Sequence, residues 1–418
     1  MWFIFVKILY IISIIPLLWG IIKMTYKRKY QVVTSLVFWM SFFYFCYIAF
    51  PCFFIEDINC KWGFSDNTIT FSRCVVFFYN LFFAFLIFCF CKGDDTFKNE
   101  ILVKPRYKII YQLSYLVEWA SIIVVSLAIL RLINVRASAE SVGSFSYFIV
   151  RNAALRLEAQ YHIRMFLYML IPASFFLFFK NKRLVYFLPL VLVAVFETLA
   201  NQRTTAFIVL IYLYILYVIT QKKLALKIIV PIMSVLLVGV LFVRAAALGT
   251  ELNWTMVFGE FFETFTTLPF IIEHNLIGRG FNLERIIADC TYASLLPGSI
   301  KLSLLSYESV GVELSHLVGR GYGLGSNFIS EQIYELGYIG FISSLIVPFL
   351  VVIIDKWLRG ADNLLVKIIF IFQLRLFIRE GITQFTVILY IFLVYFAIYY
   401  IFRKKKHVTP NVLLRNIC

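Results

Sequence analysis

Long apolar runs separated by short polar segments dominate the chain. Most runs are about 20 residues long, the length that an α-helix needs to cross the hydrocarbon core of a bilayer. A membrane β-barrel would instead show segments of about 10 residues with alternating polarity. The pattern therefore predicts an all-α, polytopic transmembrane bundle of about 11 helices. The predicted spans are residues 2–22, 32–55, 74–91, 110–133, 163–179, 184–200, 205–220, 227–243, 334–354, 365–380 and 383–402.

Composition and charge support a membrane protein. Of the 418 residues, 62% are hydrophobic and only 15% are charged, which is more apolar than a soluble domain. A net charge of +16 would suggest nucleic acid in a soluble protein, but here the basic residues lie in short loops beside apolar spans. We therefore expect membrane lipids and no nucleic acid as partners. The first run lacks a basic start and ends at basic residues, so we expect a membrane helix there and no cleaved signal peptide.

The basic loops fall on one side of the predicted spans. By the positive-inside bias that side is cytoplasmic, which places the N-terminus outside and the C-terminus inside. The opposite face receives residues 134–162, interpreted as an amphipathic or solvated surface helix, and residues 244–333, whose aromatic residues favour helices lying on the outer face. This divides the chain into an N-terminal bundle of about eight helices (1–243), an extracytoplasmic loop region (244–333), and C-terminal spans with a cytoplasmic tail (334–418).

A glycine-rich segment ends the long outer interval. Its glycines allow the backbone to approach a ligand closely, and the polar groups that follow belong to what should be the first turn of a helix. A glycine-rich turn and a helix N-terminus together favour an anion, although a flexible loop leading into an N-cap gives the same pattern. The residues concerned are Gly319, Gly321, Gly323, Gly325, Ser326, Asn327, Ser330 and Glu331.

Arginine side chains are the candidate groups for binding an anion. Arg203 lies in TLANQRTTAF, at a very short predicted outer turn, where a guanidinium suits bidentate phosphate contact or snorkels to the interface. The eight cysteines show no zinc-site spacing and the four histidines are scattered, so we expect no metal and no cofactor.

The chain resembles the Wzy-type O-antigen polymerases, which are oligosaccharide repeat-unit polymerases. The likeness lies in the many helices, the single large late outer loop, and a G-x-G-x-G-S/N-x-x-x-x-E segment. Looser similarities are the stretch from Gly280 to Pro297 and the arginine after a short turn, Arg203. No convincing pair of arginine-led repeats, described in some members, is present. The matching residues are Gly321, Gly323, Gly325, Ser326, Glu331, Tyr334, Gly337 and Gly340.

The resemblance implies a GT-C-like membrane glycosyltransferase in the bacterial inner membrane. Its donor would be a glycan on undecaprenyl pyrophosphate and its acceptor a repeat unit on the same carrier, joined at the outer face. A chain-length regulator and a flippase of the same pathway would be possible partners. A lipid-linked oligosaccharide flippase or an O-antigen ligase-like enzyme are the alternatives; a flippase should show two related helical halves, whereas a ligase would share topology and leaving group.

Roles for individual residues follow from that chemistry. We expect Arg203 and Arg320 to contact the pyrophosphate, with Arg244 and Arg279 as weaker candidates, because cations stabilise the departing negative charge. Glu331 is the expected general base, or it holds an arginine in place. The alternative base is His316, unless it is a structural histidine. Gly321, Gly323, Gly325, Ser326 and Asn327 would bind substrate, and Tyr334 would stack on a sugar or anchor the interface.

Overall fold

The protein is helical throughout the part of the chain that its structure, a computed structural model, describes: residues 2–59, 62–91, 108–139, 146–161, 163–200, 204–221, 259–293, 310–318, 325–358, 364–382 and 384–393. This confirms the all-α prediction for those residues. In chain order the helices are α1 (Trp2–Arg28), α2 (Leu36–Tyr44), α3 (Phe50–Phe53), α4 (Ile55–Asn59), α5 (Asp66–Phe90), α6 (Lys108–Ala139), α7 (Ser146–Tyr161), α8 (Ile163–Asn181), α9 (Leu188–Leu199), α10 (Thr204–Gln221), α11 (Gly259–Glu273), α12 (Leu283–Cys290), α13 (Val310–Leu317), α14 (Phe328–Leu336), α15 (Gly340–Trp357), α16 (Leu364–Glu380) and α17 (Gln384–Leu393).

Among the described residues, five helical stretches are long and apolar enough to cross a membrane by length and composition. They are Trp2–Met24, Leu36–Phe53, Asp66–Phe90, Tyr111–Ala139 and Phe328–Trp357. Several expose large apolar side chains to the surroundings, which suits contact with lipid and not with water. These features support the transmembrane character predicted from the sequence. The predicted span at 227–243 lies outside the described residues.

One end of the bundle is fixed by a buried ion pair, and we call it the Asp355 end. Asp355 Oδ1 lies 3.2 Å from Lys367 Nζ and accepts a hydrogen bond from the Leu36 amide, while Oδ2 accepts from Ser35 Oγ. The pair joins the end of α15 to the beginnings of α16 and α2. Removing one partner of such a buried pair would leave the other charge uncompensated.

The predicted span 334–354 differs from the structure at its beginning. Gly337, at φ +64°, interrupts the apolar run between α14 and α15. Gly340 approaches the Gln332 carbonyl too closely for a side chain, and Ser343 Oγ donates a hydrogen bond to Gln332 Oε1 across 2.8 Å. The two helices therefore form an antiparallel hairpin. A straight helix over the 30-residue apolar stretch Phe328–Trp357 would extend about 45 Å, which is longer than the hydrocarbon core of about 30 Å.

The short helix α14 begins inside the bundle. Phe328, its first residue, packs against Tyr79 and Phe83 in the middle of α5, with ring centroids 6.2 and 6.4 Å away, and against Phe377 of α16 at 4.9 Å. From there α14 runs outward to Gly337, the turn of the hairpin. Its N-terminus therefore opens among other helices and not at the surface of the bundle.

Helices were predicted for the interval 244–333, and they are present in its described parts as α11, α12, α13 and the beginning of α14. The position of α11 differs from the predicted helix lying on the outer face. All residues from Thr264 to Ile271 are buried, so this part of α11 is covered on every side. Thr267 tolerates this burial because its hydroxyl bonds the Thr264 carbonyl within the same helix. In the other outer interval α7 confirms the predicted helix, and the Arg131 guanidinium lies 5.4 Å from the Tyr161 ring centroid.

Candidate functional site

Asn327 starts α14 and anchors it to α11. Its Oδ1 accepts a hydrogen bond from the Ser330 amide at 2.9 Å, which is the N-cap arrangement. Its Nδ2 donates to the Thr264 carbonyl at 2.9 Å and to Thr267 Oγ1 at 3.1 Å. The side chain is completely buried. The predicted helix start after the glycine-rich segment is therefore confirmed, and both ends of the amide are used.

Glu331 lies in the first turn of α14, almost entirely buried at 3% exposure. Its Oε2 accepts a hydrogen bond from the Ile382 amide at 2.5 Å. Gly381, at φ +94°, ends α16, and a side chain there would collide with the Glu331 carboxylate. The carboxylate thus occupies the junction between α16 and α17. This contact gives Glu331 a structural task as a cap, whatever chemistry it performs.

The helix α16, which precedes the contact between Glu331 and Ile382, carries two arginines. Arg375 and Arg379 are four residues apart, so they share a helix face. A Cβ at Gly325, the last glycine of the segment, would lie 3.7 Å from the Arg379 Cγ and Nε atoms. Arg375 is buried, and its guanidinium lies 5.6 Å from the Tyr47 ring centroid. The glycine-rich segment therefore ends against a cationic side chain.

The buried side chain of Arg285 in α12 is the centre of a polar cluster one turn further along α14. Its Nη1 lies 2.5 Å from Glu313 Oε2 of α13, and its Nε lies 2.9 Å from Glu335 Oε1 of α14. Its Nη2 donates to the Gly280 carbonyl, and Tyr334 Oη donates to Glu313 Oε1 at 2.7 Å. We call these residues the Arg285 cluster. It fastens three helices of the long interval to each other.

The turn before α12 also binds the end of α14. The Gly278 amide donates to the Ile333 carbonyl at 3.0 Å, and the Gly280 amide donates to the Tyr334 carbonyl at 2.9 Å. These carbonyls lie in the last turn of α14, where the Ile333 carbonyl also accepts a hydrogen bond from the capping Gly337 amide. Gly280 packs so tightly on the Tyr334 ring that no side chain fits there. A small residue is required by this approach.

Carboxylates crowd the inner side of α14. Glu331 and Glu335 are one turn apart, and both interact electrostatically with Asp289 of α12. Like charges this close repel each other, so Arg285 offsets part of the repulsion. Within the described residues, no group of three or more His, Cys, Asp or Glu side chains is arranged to hold a metal ion. The cluster is thus organised around a guanidinium.

The sequence-predicted site residues fall into three groups. Gly325, Ser326, Asn327 and Glu331 come together at the beginning of α14. Tyr334 belongs to the Arg285 cluster and is buried, while Arg279 on the preceding turn and His316 at the end of α13 are exposed. Outside the described residues lie Arg203, Arg244, Arg320, Gly321 and Gly323.

Sequence reasoning missed the Arg285 cluster. The stretch NLERIIADC contains a local signal, because Arg285 and Asp289 are four residues apart and share one face of a short helix that Asn282 caps. Their partners Glu313 and Glu335 lie far along the chain, so local spacing does not reveal them. Arg375 and Arg379 are ionisable residues within the predicted span 365–380, and sequence reasoning did not assign them to the site.

Comparisons with known proteins give no assignment. No protein-family model, curated protein or solved structure matches the chain. The proposed function therefore rests on the geometry around Glu331 and on the glycine-rich segment.

Proposed function

We propose that this protein is a membrane glycosyltransferase that polymerises undecaprenyl-pyrophosphate-linked repeat units into O-antigen or a related surface polysaccharide. The observation that carries the proposal is the placement of Glu331. This buried carboxylate lies in the first turn of a short helix that begins inside the bundle, directly after the glycine-rich segment. The sequence resemblance supplies the substrate class.

The proposed reaction needs an acid–base group and cations. The acceptor hydroxyl attacks the anomeric carbon of the donor glycan, the carbon–oxygen bond to the pyrophosphate breaks, and undecaprenyl pyrophosphate leaves. The hydroxyl proton passes to Glu331, since a carboxylate shielded from water suits proton abstraction. Guanidinium groups stabilise the charge of the departing pyrophosphate. Arg379 lies at the end of the glycine-rich segment, and Arg203 and Arg320, with Arg244 and Arg279, are the other proposed contacts.

The alternative role of Glu331 is purely structural, namely to accept the hydrogen bond of the Ile382 amide. His316 is then the proposed base, because it is exposed at the end of α13, the helix that also carries Glu313. The two roles differ in what a neutral isostere does. Glu331→Gln keeps an acceptor for the Ile382 amide but removes the base.

The proposed topology is a GT-C-like bundle of about 11 spans in the bacterial inner membrane. The Asp355 end is cytoplasmic in this proposal, because the basic residues Lys356 and Lys367 lie there. The N-terminus is periplasmic, the C-terminus is cytoplasmic, and α12 with α13 belongs to the periplasmic side. A chain-length regulator and a flippase of the same pathway are the proposed protein partners.

Deletion of the gene in its bacterial host, followed by analysis of the surface glycan, tests the function. The proposal predicts core oligosaccharide capped with a single repeat unit, restored to long chains by the wild type and not by Glu331→Gln. Glu284→Gln on α12 is the control for a charge change on an exposed side chain. Loss of all surface glycan with cytoplasmic-side lipid-linked repeats would favour a flippase, and polymer retained on the carrier lipid would favour a ligase.

A further inference from the structure

The helix α12 has its polarity reversed relative to a helix on the surface of a soluble protein. Two of its three charged residues, Arg285 and Asp289, point inward and are each 3% exposed, whereas Glu284 in the first turn is exposed. Its apolar residues Leu283 and Ile287 point outward and are 60% and 51% exposed. Phe281, just before the helix, is 62% exposed as well. An amphipathic surface helix in water shows the opposite arrangement.

Water is an unfavourable surrounding for this face. A large apolar side chain left in water loses the free energy that its burial would provide. Hydrocarbon reverses the preference, because a charged side chain that faces lipid is unfavourable and pairs inside the protein instead. The inward pairing of Arg285 with Glu335 and Glu313 satisfies that requirement.

One neighbour of α12 is the apolar helix α17. Thr386 Oγ1 of α17 donates to the Asp289 carbonyl at 2.7 Å, and Tyr390 Oη of α17 donates to the Thr291 carbonyl. α17 is an apolar helix within a predicted span. The end of α12 therefore lies beside the first two turns of the apolar helix α17, and not beyond the end of that helix.

The apolar face of α12 also continues into that of the α14–α15 hairpin. The turn at Gly278 touches the backbone of Gly337, where the hairpin reverses. Directly after Gly337, Tyr338, Ile339 and Ile342 expose between 69% and 71% of their surface. Ile342 belongs to α15, which forms most of the apolar stretch Phe328–Trp357.

We propose that α12 is embedded in the bilayer, with Phe281, Leu283 and Ile287 in contact with lipid hydrocarbon. The residues 283–290 thus belong to the membrane layer, although they lie in the interval that the sequence assigns to an outer loop. The Arg285 cluster is then a polar centre closed off from lipid by α12. This inference is independent of the proposed enzymatic function.

Photocrosslinking of the full-length protein in lipid nanodiscs tests the contact. Benzoylphenylalanine is introduced singly at position 287, at position 284 on the same helix, and at position 78 in the middle of α5. Ile287 and Phe78 are both strongly exposed apolar residues, while Glu284 is an exposed polar one. After irradiation, intact-protein mass spectrometry counts adducts with the mass of one phospholipid. Melting temperature checks that each variant is folded.

The proposal predicts a lipid-adduct yield at position 287 comparable to that at position 78 and several-fold above that at position 284. A yield at 287 equal to that at 284 would overturn it, as would a crosslink to another protein or to a second copy of this chain. Lipid adducts at 78 establish that the assay works, so a missing adduct at 287 is informative.

Discussion

The Glu331 carboxylate accepts a hydrogen bond from the backbone amide of Ile382, with Oε2 2.5 Å from the nitrogen. The two residues lie on different parts of the fold, the α14–α15 hairpin and the junction of α16 with α17. The contact therefore fixes a buried carboxylate against the helix that carries Arg379. A carboxyl group held in this way is pre-organised for chemistry and also stabilises the junction.

Gly381 should be the most sensitive glycine near this contact. Gly381→Ala forces a side chain against the Glu331 carboxylate at φ +94°, so we expect a loss of about 2–4 kcal/mol from backbone strain and from the displaced hydrogen bond. Gly63→Ala is the matched control, because Gly63 has φ +68° with open space where a Cβ would lie, and should lose about 1 kcal/mol. Thermal unfolding in detergent micelles measures both. Equal losses would show that the Glu331 contact contributes nothing.

Arg285 should be essential for stability. Arg285→Met leaves the buried Glu335 carboxylate without its guanidinium, and we expect a loss of about 3–5 kcal/mol. Arg279→Met, at an exposed position on the preceding turn, should change stability by less than about 0.5 kcal/mol. Both are compared with the wild type by unfolding at a single scan rate.

A second substitution separates charge from packing in the same cluster. Adding Glu335→Gln to Arg285→Met removes the uncompensated carboxylate, so we expect recovery of about 1–3 kcal/mol relative to the single variant. If the double variant is as unstable as the sum of the single variants, the ion pair is not what holds α12 to α14.

The two ends of the Asn327 amide can be tested separately. Asn327→Asp keeps the oxygen that caps Ser330 but loses the donor to Thr264, whereas Asn327→Ala loses both. We expect a loss of about 1–2 kcal/mol for each lost function, hence a larger loss for alanine. Asn282→Ala removes the N-cap of α12 alone and should cost about 1 kcal/mol. Equal stability of the wild type and Asn327→Asp would contradict the anchoring to α11.

Glu273 should give the protein part of its acid sensitivity. Hydrogen bonds from the Thr68 hydroxyl, and then from the Ser65 amide and hydroxyl, lower the pKa of Glu273 below its ordinary value, against the effect of partial burial. A depressed pKa in the folded state stabilises the protein above the unfolded-state pKa, and this contribution is lost as the pH falls through the folded-state pKa. The stability difference between the wild type and Glu273→Gln should therefore shrink on acidification below about pH 4. A difference that stays constant across that range would contradict the assignment.

Local sequence patterns predicted those features of the fold that depend on a single helix. The apolar runs located the five long apolar stretches found among the described residues, and the order of Asn327, Ser330 and Glu331 located the start of α14. They failed at Gly337, because a hydropathy pattern averages over a turn that interrupts an otherwise apolar stretch. The length of the apolar stretch Phe328–Trp357, which exceeds that of a single span, was the available signal for a hairpin.

The candidate site depends on contacts that local patterns do not contain. Arg285 meets Glu313 and Glu335 only after α12, α13 and α14 have packed together. In the same way, the need for glycine at position 381 arises from the approach of Glu331 fifty residues earlier in the chain. Tertiary packing, and not propensity, therefore defines these parts of the site.

The most direct measurement is polymerisation by the purified full-length protein in proteoliposomes, supplied with a lipid-linked repeat unit on undecaprenyl pyrophosphate. The account predicts a ladder of products that differ by one repeat unit with the wild type, and none with a folded Glu331→Gln variant. No ladder from the wild type with its host's own repeat unit, or an undiminished ladder from Glu331→Gln, would contradict it.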